Sequence, residues 1–79
     1  MDVPQLRDPK AMRVLADNVK RYRTERDLTQ EALANIAGIE YSQISRIERG
    51  ILNTSVSVVF AIAQALNINP SCLLELHNN

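Results

Sequence analysis

One cysteine, Cys72, and one histidine, His77, limit the chemistry open to this chain. An internal disulfide needs two thiols, and one Cys and one His are too few ligands for a zinc site within one chain. Covalent catalysis needs a nucleophile, a base and an orienting group held together. Cys72 lies in an apolar stretch and His77 in the tail HNN, so no such set assembles, and an enzyme is not expected. Cys72 reads as a small apolar packing residue and His77 as part of a disordered tail. No cofactor and no metal are expected.

What remains is recognition by charged and amide side chains. Nine basic and nine acidic residues cancel, which gives no overall attraction for a polyanion. The distribution matters more. Between Lys10 and Arg26, Lys10, Arg13, Lys20, Arg21, Arg23 and Arg26 stand against Asp17 and Glu25, whereas from Gly50 onward the only formal charge is Glu75.

These side chains must be positioned by helices. Asp8 before Pro9 caps a first helix to about Glu25, with Met12, Leu15, Ala16, Val19, Tyr22, Arg23 and Arg26 at three-and-four spacing. Thr29 caps a short second helix with Leu33, Ile36 and Ala37 as its apolar residues, and Gly38 ends it. A third runs from about Tyr41 to Arg49, with Ile44, Ile47, Glu48 and Ile51 on its inward stripe and Gly50 as its stop. Ser55 or Thr54 caps a fourth, whose inward stripe is Val56, Val59, Ile62, Ala63 and Leu66. Asn69 and Pro70 open a last short helix carrying Leu73, Leu74 and Leu76. The expected fold is all-α with five helices: an arm over residues 1–8, one domain over 9–76, and a tail over 77–79.

At 79 residues such a domain buries only about 60% of its unfolded surface, so self-association would help it. No apolar run approaches the roughly 18 residues of a membrane span. The start MDVPQLRDPK lacks the basic and apolar regions of a secretory signal. A cytoplasmic protein without membrane contact is expected.

Two charges fall on inward stripes. Glu48 sits among isoleucines, where an unpaired carboxylate is costly, and Arg23 shares its stripe with Val19 and Tyr22. The two are expected to form a buried ion pair holding the third helix against the first; otherwise both side chains extend to solvent independently.

The string LTQEALANIAGIEYSQISRIERG, with Leu15, Val19 and Arg23 before it and VFAIAQALNI after it, resembles the Cro and phage-repressor (XRE-like) helix-turn-helix family. The resemblance covers about Leu15 to Leu74, with the helix-turn-helix at about 29–49. It implies a lambda-repressor-like domain of five packed helices that binds double-stranded DNA, and places Arg23 and Glu48 at a family salt bridge. By the same resemblance Tyr41, Ser42 and Arg46 match positions that contact base edges, Gln43 and Ser45 flank them, and Gln30, Arg49 and Asn53 match positions that touch phosphates. A recognition helix fits the major groove, where a guanidinium such as Arg46 can bond guanine O6 and N7 together or else meet a phosphate. Tyr41 could meet a thymine methyl, a phosphate or only its neighbours. Arg13, Lys20, Arg21 and Arg26 read mainly as a solvated face, with one or two able to line DNA. Glu40 is a poor N-cap where the family usually has a serine, threonine or aspartate. Thr54 stands where a proline is common, and Ile51 and Leu52 where polar or basic residues are frequent.

Val58, Phe60 and Ala61 are left on or near the outside of the fourth helix. They form either a homodimer surface or, with Phe60 folded over the last helix, part of the core. The expected function is a dimeric transcriptional regulator, of the controller type that accompanies restriction-modification genes, bound to an inverted-repeat operator. The alternative is an antitoxin or other protein-interaction module with a protein partner and secondary DNA binding.

Overall fold

Asp8 accepts hydrogen bonds from the backbone N–H groups of Lys10 and Ala11, at 3.0 and 3.3 Å, and Pro9 behind it has no N–H to satisfy. Helix α1, Pro9–Glu25, begins there. In this computed structural model, which describes residues 6–76, three more α-helices follow: α2 Gln30–Ala37, α3 Tyr41–Glu48 and α4 Val56–Ala65. Thr29 caps α2 through Ala32 N–H, and Ser55 rather than Thr54 caps α4 through Val58 N–H.

The chain is all-helical among the described residues, but the expected fifth α-helix is a single 3-10 segment, Pro70–Leu74. Asn69 caps it through Ser71 N–H, Cys72 N–H reaches only three residues back to the Asn69 carbonyl, and Glu75 is already extended. With three residues per turn one face is buried: Leu73 is enclosed while Leu74 and Leu76 stay exposed, and Cys72 is half-buried. His77 lies outside the described residues.

All four α-helices end in the same motif. Asp27, Gly38, Gly50 and Asn67 adopt φ of 56°, 73°, 72° and 56°. The next N–H, on Leu28, Ile39, Ile51 and Ile68, then reaches five residues back to the carbonyls of Arg23, Ala34, Arg46 and Ala63 at 3.0–3.1 Å. This left-handed ending satisfies carbonyls that a helix C-terminus would otherwise leave open.

The core joins Leu15 and Val19 of α1, Leu33 and Ala34 of α2, Ile44 and Ile47 of α3, Val59, Ile62 and Ala63 of α4, then Leu66 and Leu73. α1 packs on α3 and on the 3-10 segment, α2 on α3 and α4, and α4 on the 3-10 segment. An eight-residue helix such as α3 falls short of the roughly 12–15 residues at which isolated helices become even marginal, so packing sustains it. Full burial of Ile44 and Ile47 supplies about 1.5–3 kcal/mol each.

Three apolar residues depart from the expected stripes. Ile51 is 51% exposed, because the left-handed turn at Gly50 diverts the chain before helical spacing reaches it. Val56 is 72% exposed at the first position of α4, whose inward stripe starts at Val59. Val58, expected outside, is half-buried and packs against the core. Asn18, not singled out from the sequence, is buried on α1 and donates from Nδ2 to the carbonyls of Leu73 and Glu75 at 2.9 and 2.8 Å. Those bonds tie α1 to the end of the 3-10 segment.

Candidate nucleic-acid interface

The inner face of α3 presents a carboxylate to two neighbours. Arg23 of α1 donates from Nε to Glu48 Oε2 at 2.6 Å and from Nη2 to Oε1 at 2.9 Å, a two-pronged pairing. Its Nη1 donates to the Leu28 carbonyl at 2.6 Å, at the turn into α2. Gln30, the first residue of α2, adds a third bond from Nε2 to Glu48 Oε1 at 3.1 Å. The hydrogen bonds Arg23 donates to Glu48 push its pKa above the already high ordinary value, against an opposing effect of burial. One buried carboxylate therefore ties α1, α2 and α3 together.

The outer face of α3 is open. Ser42, Arg46 and Arg49 lie three or four residues apart on one exposed stripe, with Tyr41, 49% exposed, beside it. Gln43 and Ser45 are half-buried. Among the described residues nothing hydrogen-bonds the Arg46 guanidinium. Gln43 Oε1 accepts from Glu40 N–H at 3.2 Å, a bond back from the first turn that helps α3 start at a residue whose type disfavours the position. Tyr41 also lines a shallow recess with Arg23, Thr29, Gln30 and Glu31, where the starts of α2 and α3 meet.

The three residues matched to phosphate positions differ in how committed they are. Gln30 spends Nε2 on Glu48 and Asn53 spends Nδ2 on the Leu6 carbonyl, at 2.8 Å. Arg49 is exposed, with only a long 3.4 Å bond from Nε to the Ser45 carbonyl. Two arginines from outside α2 and α3 also arrive at the end of α3. Arg13 of α1 donates from Nη2 to the Arg49 carbonyl at 2.9 Å, and Arg7 of the arm from Nη2 to the Ile51 carbonyl at 3.3 Å. Sequence spacing offered no sign of Arg7, because its partner is 44 residues away.

On the side formed by α1, α4 and the 3-10 segment, Phe60 is 57% exposed, Ala61 is half-buried, and Val56 and Leu74 stand open. Val56, Phe60 and Leu74 edge an apolar groove of ≈ 240 Å³ floored by Met12, Leu15 and Val59. No helix among the described residues is long and apolar enough to cross a membrane.

Comparison with known proteins places these features in context. Residues 19–71 match the HTH_3 family model, described as helix-turn-helix. Control protein C.SmaI of Serratia marcescens is 39% identical over 61 residues, which span 77% of this chain and 73% of that one. The solved structure of the restriction-modification controller protein C.AhdI from Aeromonas hydrophila is similar at TM-score 0.76 and 32% identity, covering 78% of this chain and 94% of that one. That of the hypothetical transcription factor NHTF from Neisseria is similar at TM-score 0.81 and 29% identity, covering 95% and 87%.

Proposed function

The chain belongs to the helix-turn-helix family of the Cro and phage-repressor type, and from that premise we propose that this DNA-binding transcriptional regulator reads an inverted-repeat operator as a homodimer. The observation that carries the reading is the division of α3 into two faces. Ile44, Ile47 and Glu48 anchor it inward, while Ser42, Arg46 and Arg49 stand open along the other side. A helix so mounted can enter the major groove, where each base pair shows its own pattern of donors and acceptors. Tyr41, Ser42 and Arg46 meet base edges, with Gln43 and Ser45 at their flanks. Arg49 meets a phosphate through its uncommitted nitrogens. Gln30 and Asn53 keep their amide nitrogens on Glu48 and Leu6, and phosphate is received beside Gln30 by the backbone N–H groups that open α2.

Exposed Phe60, next to Ala61 and Val58 on α4, is the proposed two-fold surface, with Val56 and Leu74 extending it. The groove beside Phe60, lined by Met12, Leu15, Val59 and Leu74, is apolar and suits side chains of a second copy. Two recognition helices would then sit about 34 Å apart, one helical turn of DNA. The similarity to a restriction-modification controller protein favours action on restriction-modification genes.

The same exposed apolar surface favours a second reading, an interaction module that captures a different protein. Footprinting on the DNA upstream of its own gene separates the two. A two-fold symmetric protected site supports the regulator, and absence of protection together with tight capture of a neighbouring gene product overturns it.

A further inference from the structure

The segment that reads DNA is not itself positive. Between Gln30 and Arg49, Arg46 and Arg49 stand against Glu31, Glu40 and Glu48. Affinity for DNA comes largely from phosphates neutralised by Lys and Arg, so cations must arrive from elsewhere in the fold. They arrive at the exit of α3. Arg13 hydrogen-bonds the Arg49 carbonyl and Arg7 the Ile51 carbonyl, two residues further along. Arg13 lies so close over Gly50 that a Cβ there would come within 2.5 Å of its Nη2. Arg49 itself occupies the same short stretch. No acidic residue occurs between Arg49 and Leu74, and the partner of Arg13, Asp17, is 68% exposed at 3.3 Å, a pairing of the weak surface kind.

A guanidinium carries five N–H donors in a fixed fork. The bonds to backbone carbonyls hold each fork in place and leave donors over, the arrangement that suits a phosphate oxygen. We propose that Arg7, Arg13 and Arg49 form a phosphate-binding collar at the exit of α3, so that the N-terminal arm and α1 grip the DNA backbone beside the groove that α3 enters. The proposal rests on the DNA-binding reading. It explains how a chain of zero net charge holds a polyanion: the positive charge is gathered by folding from positions more than forty residues apart.

The test is the salt dependence of binding by the full chain to a mixed-sequence duplex and to the DNA upstream of its gene. In Arg7→Gln and Arg13→Gln the slope of log affinity against log salt should each fall by about 0.9 per protomer, or about 1.8 for a bound dimer, the value for one lost phosphate contact in each copy. The double variant should lose both, and the loss should be the same on both duplexes. Arg13 also closes the end of α3, so Arg13→Lys serves as its control: it keeps the charge, loses the fork, and should retain the wild-type slope. Wild-type slopes in Arg7→Gln and Arg13→Gln would overturn the collar while leaving DNA binding standing. A wild-type chain that binds neither duplex overturns both.

Discussion

Glu48 accepts three hydrogen bonds on two oxygens while almost wholly buried. Glu48→Ala strands the Arg23 guanidinium and frees the Gln30 amide, and breaking one partner of a buried pair costs about 3–5 kcal/mol. The melting temperature should fall sharply, with DNA binding weakened only as the folded population falls; an unchanged midpoint would remove Glu48 from this role. Arg46 belongs to the opposite class, exposed and uncommitted. Arg46→Ala should leave the melt unchanged and cost about 1–3 kcal/mol of discrimination between operator variants. Equal losses on every sequence, measured by competition binding, would reassign it to a phosphate. The inward place of Glu48 was legible because its helical spacing put a carboxylate among isoleucines. The third bond, from Gln30, was not legible, since nothing in sequence relates the first residue of α2 to the inner face of α3. Asn18 was open to the same stripe reading as Glu48, three residues beyond Leu15, but an amide on a stripe carries no charge to demand a partner.

At the scale of elements, the helix ends decide where side chains point. Gly38 and Gly50 share the left-handed conformation, yet a Cβ on Gly38 meets nothing within 4 Å whereas one on Gly50 meets the Arg13 guanidinium. Gly38→Ala should therefore cost only the backbone strain, about 1–2 kcal/mol. Gly50→Ala should cost more, because Arg13 must also give up the Arg49 carbonyl. Denaturant midpoints compare the two directly, and equal losses would mean that Arg13 yields freely. The starts of α1 and α2 were legible from Asp8 and Thr29, and that of α4 to within one residue from Thr54 and Ser55, each a short oxygen-bearing side chain. Glu40 read as a poor cap because residue type alone hides what Gln43, three positions on, contributes. Ile51 and Val56 were misplaced for one reason: helical spacing was carried past points where the helix had stopped or had not begun. The 3-10 segment was read as an α-helix because a cap followed by proline opens both.

At the scale of the molecule, the apolar side of α4 is the proposed two-fold surface. Phe60→Asp puts a charge on the proposed two-fold surface, and sedimentation should show a monomer with an unchanged helical spectrum and markedly weaker operator binding. A dimer that persists would move the interface elsewhere. α1 joins α3 to the apolar groove: through Arg23 and Arg13 it holds the C-terminal end of α3, at Glu48 and the Arg49 carbonyl, and through Asn18 it holds the 3-10 segment beside the groove. Asn18 binds carbonyls two residues apart, so sliding the segment by one position would orphan a buried amide. α1 thus behaves as a caliper. In the proposed dimer, the gap between the paired reading heads is gauged by one rigid rod, and inserting or deleting a base pair between half-sites should be tolerated poorly.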